Sequence, residues 1–526
     1  MRLIVLRVMM FAAAATGAFG SAVAALTLRT RRMVIGCVMA TALGPVAMAA
    51  DHWYSVEMFG GTVGTMHAWQ ITTADEVLSA SDMKFEIRRG PASVKVSMKG
   101  EYVESAKGKP IRMKSVQTLG ATPLTQEWTF GEKDVTVTTT QGEQITKSTV
   151  ALPTGEWLSP TAAEKYVTQR LKSGATEIVT RSIDPSNGLT PLTATRVVIG
   201  KETIAVGGRD LEVFKCKTRV SSMPGIESLE YYDAEGLMVK GTTQMGGIEV
   251  VITLSDAIKA KAGLDAGAQI APDMLTGTFV KPDKRIDNPR GLSKGVYVLS
   301  VDEGALETVP ATGSQRFERE SSSRGLVTVT TDPKLFAPAS PLDVTDAAYL
   351  ASTAMCSTSD EAIKRLAARA VRKLSEKELA DPAVVAGACR EFVYRYISKK
   401  SLGVGYASAT EIARTREGDC SEHAVLLCAL LRVHNIPARV ACGLIYADAF
   451  AGSEHIFGYH MWSQALLPGE GGPRWVDLDA TLPVGIAYDA THICLGTSTL
   501  ADGDATQSMI GVATNMGRLK ITVKEP

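Results

Sequence analysis

The amino-acid sequence predicts an α+β protein, in which a mostly antiparallel β region precedes a domain whose helices come before its strands. Three observations lead there. From Asp51 to about Leu254, apolar residues alternate with a period of two, as in Ser93–Lys99 and Asp134–Thr138. From about residue 345 the period turns helical, and Ile363, Leu366, Ala367, Ala370, Val371 and Leu374 share one helix face. Beyond Pro437 the pattern returns to strands, at 438–446, 460–467 and 475–479. A chain of 526 residues exceeds one ordinary core, so two to four domains are expected.

Residues 1–50 read as an N-terminal leader. The basic cluster Arg29-Thr30-Arg31-Arg32 precedes an apolar stretch, Met33 to Ala50, that ends Ala47-Met48-Ala49-Ala50. A basic region, a short apolar region and an Ala-x-Ala site make a secretory signal, with cleavage expected after Ala49 or Ala50. The competing reading is a membrane anchor, because residues 8–28 are just long enough to span a bilayer. Either way the chain is expected to be exported, periplasmic or extracellular, with membrane association through the leader if it is retained. Lys+Arg and Asp+Glu both number 56, and no basic stripe carries interleaved aromatics, so nucleic acid is not an expected partner.

Residues 51–260 form the β-rich region, punctuated by Gly60-Gly61, Asn187-Gly188 and Gly207-Gly208 turns. One helix interrupts it, opened by a Thr161-x-x-Glu164 capping box and running to about Lys172. Residues 261–344 read as a linker rich in Ala, Gly, Asp and Pro followed by a small β region at 295–332. In residues 345–526, Thr358-x-x-Glu361 is expected to cap one helix, Asp381-Pro382 the next, to about Ile397, and Ser408-x-x-Glu411 a third. Gly418-Asp419 then precedes Cys420 and a helix through Val433, which Asn435-Ile436-Pro437 ends.

Cys420, His460 and Asp479 come in that order on three different elements. A thiol at a helix N-terminus meets unpaired N–H groups and the positive end of the dipole, which favour the thiolate. An imidazole on one strand and a carboxylate on its neighbour can come within hydrogen-bond reach, because cross-strand partners sit roughly 5 Å apart at Cβ. These are the parts of a thiol nucleophile, a general base and a group that orients the base. Eight cysteines, with no CxxC, argue against a zinc knuckle, and nothing like HExxH supports zinc at the three residues; no metal or cofactor is expected. Without Cys37 the count is odd, which points to at least one free thiol, and buried free thiols are expected for the rest.

Gly418-Asp419-Cys420-Ser421-Glu422-His423-Ala424, Ala429-Leu430-Leu431-Arg432, Asn435-Ile436-Pro437-Ala438-Arg439-Val440, His460-Met461-Trp462 and Asp479-Ala480-Thr481 resemble, in order, the transglutaminase-like superfamily, especially its bacterial exported members. The resemblance covers about residues 345–526. It implies a papain-like α+β core, Cys420 as nucleophile, His460 as base and Asp479 as the orienting carboxylate. Where the family often has Pro after that Asp, this chain has Ala480.

Each assignment has a rival. Asp477, on the same predicted strand and face as Asp479, competes for the orienting role. His423 is expected to be a solvated first-turn residue, His434 to suit a helix C-terminus, His455 to lie in a loop able to move over the cleft, and His492 to be structural or to support the triad from outside. Trp462 and Trp475 are expected in the core. The expected activity is thiol-dependent acyl transfer on a protein or peptide amide, as cross-linking or deamidation. The alternatives are a cysteine peptidase or amidase on the same scaffold, or a non-catalytic exported binding or assembly protein.

Overall fold

The computed structural model describes residues 47–526 apart from 59, 90–91, 119–121, 143, 246–247, 268–273, 303, 307, 403–405, 502–511, 513–514 and 526. The leader through residue 46 and Cys37 therefore lie outside the described residues. The expected cleavage point falls inside the first strand, Ala47–Met58. Among the described residues no helix is long and apolar enough to cross a membrane.

The period-two region folds into one antiparallel sheet of fourteen strands. Eight meander outward from Ala47–Met58 to Gln144–Ala151, and six return from Glu177–Ser182 to Ile248–Ser255. The last strand pairs with the first, Trp53 opposite Ser255. The alternation has a direct cause. In the strand Ala92–Ser105, Val94, Val96 and Met98 are buried while Ser93, Lys95 and Lys99 face solvent. Each such aliphatic side chain contributes roughly 1.5–3 kcal/mol by leaving water, so a one-residue slip is strongly disfavoured.

The interrupting helix is Pro160–Lys172, and its cap differs from expectation. Ser159 is the N-cap, accepting from the amide of Ala162 at 3.2 Å. Pro160 takes the first helical position, where a missing N–H costs nothing. Thr161 is thus inside the helix, and its hydroxyl meets Gln70 and Ser79 of the sheet at 3.1 and 3.0 Å.

A second, four-stranded sheet runs in the order Gln315–Ser321, Arg324–Thr330, Lys294–Val301 and Leu519–Glu525. Its last strand comes from the far end of the chain, so the small β region and the C-terminal domain share backbone hydrogen bonds. The stretch expected as a linker is tied down as well, with Val280 and Phe457 exchanging both backbone hydrogen bonds at 2.9 and 2.8 Å.

The C-terminal domain has helices Glu361–Val371, Pro382–Tyr396, Ala409–Thr415 and Cys420–Val433. They lie with a sheet ordered Arg474–Leu478, Ser453–Leu467, Ala438–Phe450 and Ile493–Ser498. Asp381 and Ser408 cap as expected. The first helix starts later than expected, because Asp360 accepts from the amides of Ala362 and Ile363 and displaces Thr358 as N-cap. The two central strands form one long hairpin, Ala438 opposite Ala465, through a tight turn at Ala451-Gly452 whose residues both have positive φ. The helix Cys420–Val433 is buried on every side from Cys420 to Arg432, which is why its sequence lacks a polar face.

Candidate active site

The start of the buried helix is built by its own sequence. The Asp419 carboxylate accepts from the amide of Ser421 at 3.1 Å, and Glu422 reaches back to the amide of Asp419 at 2.9 Å. This is a reciprocal capping box. Gly418 has φ +156°, and a Cβ there would lie 2.3 Å from the Cβ of Glu422, so only glycine fits. Cys420 occupies the first helical turn and is 1% exposed. Asp419, Ser421, Glu422 and His423 are buried around it. Burial, reinforced by Asp419, pushes the Glu422 carboxyl up to about 8.

His423 corrects the expectation of a solvated residue, being 1% exposed. The helix it sits on has no solvent face, and its ring is held at both nitrogens. Nδ1 donates to the carbonyl of Asp419, and Nε2 faces the Lys400 ammonium. Burial first, and then Lys400, push this imidazole down to about 3, so it stays neutral. Burial likewise lowers Lys400 to about 8.

Asp479 lies one residue past the strand Arg474–Leu478. Its Oδ2 accepts from His460 Nε2 at 2.9 Å and from His492 Nε2 at 3.3 Å. Its Oδ1 accepts from the amide and hydroxyl of Thr481 at 2.8 and 2.7 Å. Burial opposes ionisation there, but His460 and His492 outweigh it and hold the carboxyl well below the usual range. The following loop is set by Arg390, which donates to the carbonyls of Asp479, Leu482, Pro483 and Ile486 at 2.7–3.1 Å. That clamp holds the carbonyls on both sides of Ala480-Thr481.

Asp477 faces different partners. It accepts from Trp462 Nε1 at 2.7 Å, from Gln464 Nε2 at 2.6 Å and from the hydroxyl of Ser314. The expectation that Asp477 and Asp479 share a face fails because the chain leaves the strand at Leu478. Trp462 is buried and lies parallel to His460, ring centroids 6.0 Å apart. Trp475 is also buried, stacked under the Arg439 guanidinium at 4.0 Å. His434 bonds the carbonyl of Ala367 at 3.1 Å. His455 is held at Tyr446 by a 3.2 Å hydrogen bond at the end of the hairpin. The seven described cysteines are all buried thiols outside any disulfide.

The donor atoms of His460, Asp479 and His492 lie within 4.8 Å of one another. Both rings aim Nε2 at the same carboxylate oxygen, so a cation between them would have to displace the protons these contacts use. The cluster is a hydrogen-bonded set centred on the Asp479 carboxylate. Chemically, Asp479 fixes the N–H of His460 at Nε2, which puts the lone pair of the neutral ring on Nδ1.

The contact of His492 with Asp479 was not legible from spacing alone. A signal was present: Asp-Ala-Thr occurs at 479–481 and again at 489–491. Both copies fold the same turn, and in the second the amide and hydroxyl of Thr491 bond Asp489 Oδ1. Arg390 and Lys400 carried no sequence signal, since their roles depend on packing between distant segments.

Residues 364–480 match the model of the transglutaminase-like superfamily, a span that includes Cys420, His460 and Asp479. No curated protein matches the chain. Among solved structures, a β-barrel-like protein of a domain of unknown function from Brucella abortus is 11% identical over 39% of this chain and 95% of that one, with a TM-score of 0.31. A protein provisionally described as a cysteine protease from Cytophaga hutchinsonii is 17% identical over 44% of this chain and 83% of its own, with a TM-score of 0.25. A provisional protease from Parabacteroides distasonis is 12% identical over 78% and 64% of the two chains, with a TM-score of 0.18.

Proposed function

We propose that the transglutaminase-like domain of this chain is a thiol-dependent acyl-transfer enzyme acting on protein or peptide amides, with Cys420 as nucleophile, His460 as base and Asp479 orienting the base. The observation that carries the reading is the pinned pair. His460 and Asp479 are both fully buried and joined at 2.9 Å. The strand that bears His460 packs on the helix that Cys420 opens, where the hydroxyl of Ser463 donates to the carbonyl of Ala424 at 3.0 Å.

In this reading His460 keeps Nε2–H on Asp479 and takes the Cys420 Sγ proton at Nδ1. The thiolate attacks the amide carbonyl carbon, and the helix N-terminus favours the charge that develops. His460 returns its proton to the leaving amine as the C–N bond breaks, leaving a thioester. A primary amine or water then gives a proton to Nδ1 and attacks the thioester, which frees the thiol. An amine acceptor gives cross-linking; water gives deamidation or, at a peptide bond, cleavage.

A glutamine peptide incubated with the chain, with and without a primary amine, separates these outcomes by mass. Amine incorporation or deamidation that disappears in Cys420→Ala, a variant expected to fold normally, is the predicted result. Chain cleavage would favour the peptidase or amidase reading. No product over the same range of peptides would favour the non-catalytic one. Export belongs to the same proposal, and N-terminal sequencing of the secreted chain should begin at Ala50 or Asp51.

A further inference from the structure

The structure assigns His492 as a second imidazole on Asp479, and a charged one: we propose that it is a positioning residue, held as imidazolium in the middle of a chain of alternating charge, Arg290–Asp489–His492–Asp479, that ends on His460. Its effect on catalysis rests on the proposed function; its charge does not.

The argument is one of donors and acceptors. His492 Nδ1 lies 2.9 Å from the carbonyl oxygen of Asp489, and Nε2 lies 3.3 Å from Oδ2 of Asp479. Neither a carbonyl nor an ionised carboxylate can donate. A neutral imidazole carries one N–H, so one of the two contacts would set lone pair against lone pair in a site with no exposed surface. Both are satisfied only when both nitrogens are protonated. The Asp489 carboxylate, 3.5 Å from Nδ1, supplies the second negative charge. Burial opposes the charge, yet Asp489 and Asp479 together raise this imidazole to about 9.

The other groups facing the ring do not compete for that charge. Tyr488 lies tilted against it, ring centroids 4.4 Å apart, and stays a neutral phenol, because burial and then Asp477 push it far up. Trp462 lies edge-on at 5.2 Å and His460 at 5.8 Å. Lys400 and neutral His423 act from the side of Asp479 and His460.

The chain continues outward. Asp489 Oδ2 accepts from Arg290 Nη1 at 2.6 Å, and Arg290 also reaches the carbonyl of Tyr446 and the hydroxyl of Thr491. Tyr297 donates to the carbonyl of Ala490 at 2.9 Å, and the amide of Ala490 donates to the carbonyl of Leu292 at 2.9 Å. The loop that presents His492 is thereby fixed by the region upstream of the transglutaminase-like domain. A fixed cation beside Asp479 keeps that carboxylate ionised and weakens its hold on a proton at His460.

Imidazole C2–H exchange, followed residue by residue by mass spectrometry on the full chain, reads the titration of each histidine without any assay of activity. His492 should show a midpoint above pH 8, falling by one unit or more in Asp489→Asn. Arg290→Gln removes a competing cation and should leave that midpoint unchanged or higher; being partly exposed, it carries the test if Asp489→Asn fails to fold. A wild-type midpoint at or below 6.5, or an equal fall in both variants, overturns the proposal. For the catalytic consequence, the pH midpoint of Cys420 alkylation should move up by half a unit or more in His492→Gln, which removes a cation from the site. A rate lowered equally at every pH would mean that His492 only supports the fold there. Alkylation that ignores His460→Ala would sink the proposed function and leave the exchange result standing.

Discussion

At the scale of single residues the sharpest contrast is between the two aspartates next to the histidine strand. Asp479→Asn leaves the carboxamide free to turn its NH₂ toward His460 and permits the wrong tautomer, so turnover should fall by ~10²–10⁴-fold, and because buried His492 loses a counter-charge the Tm should fall as well. Asp477→Asn instead disturbs Trp462 and Gln464 and should cost about 1–3 kcal/mol in denaturant unfolding with a smaller effect on rate. If Asp477→Asn is the more damaging to rate, the assignment is reversed. The same charges fix how stability depends on pH. His492 is raised in the folded chain, so its contribution is complete below its ordinary value of about 6.5 and is lost as pH rises through about 9. Asp479 is depressed, so its contribution is complete above about 3.9 and fades only as pH falls further. Thermal unfolding should therefore weaken from pH 7 to 9.5 by on the order of 1–3 kcal/mol, and less so in His492→Gln. Cys420, His460 and Asp479 were legible as candidates because each stands in a distinctive local motif. The burial of His423 was not, because a charged neighbour from residue 400 and a carbonyl one turn back are invisible to spacing.

At the scale of elements, helix starts carry the local logic. Asp381-Pro382 and Ser408 were read correctly because their side chains are the nearest acceptors to the free amides. Thr161 and Thr358 were misread because Ser159 and Asp360 offered an acceptor in better position. The start of the cysteine helix is the least tolerant of these. Gly418→Ala places a Cβ against Glu422 and should lower stability by about 2 kcal/mol or more while displacing Cys420, measured as a fall in Tm together with a loss of Cys420 alkylation. Arg390→Met removes the clamp on the loop after Asp479. On the proposed function it should reduce turnover more than it reduces Tm, since the carbonyls it releases flank Asp479 and some can turn to water.

At the scale of the whole molecule, the alternation that predicted an antiparallel region was correct, but the order of its strands was not legible. Closing Ile248–Ser255 onto Ala47–Met58 depends on contacts about two hundred residues apart, and local pattern holds no record of them. The same is true of Leu519–Glu525, which completes a sheet with Lys294–Val301 rather than with its neighbours in sequence. The edge of the large sheet also touches the helical domain, where Gln144 Nε2 lies 3.4 Å from the carboxylate of Asp360 that caps the first helix. A chain beginning at residue 345 would lack Arg290, Tyr297 and Lys294–Val301, the partner strand of Leu519–Glu525. It should be recovered largely insoluble or unfolded by circular dichroism, whereas a chain beginning at residue 278, which keeps Val280 on Phe457, should fold. A well-folded fragment from 345 would show that the upstream region is dispensable for the site.

The most direct test is the rate at which iodoacetamide alkylates each cysteine near neutral pH, mapped by peptide mass spectrometry. All seven described cysteines are buried, so accessibility alone favours none of them. An imidazole poised to take the thiol proton predicts that Cys420 reacts at least ~10-fold faster than the other six and that the advantage vanishes in His460→Ala. Slow, equal labelling of all seven, unchanged by His460→Ala, would contradict it.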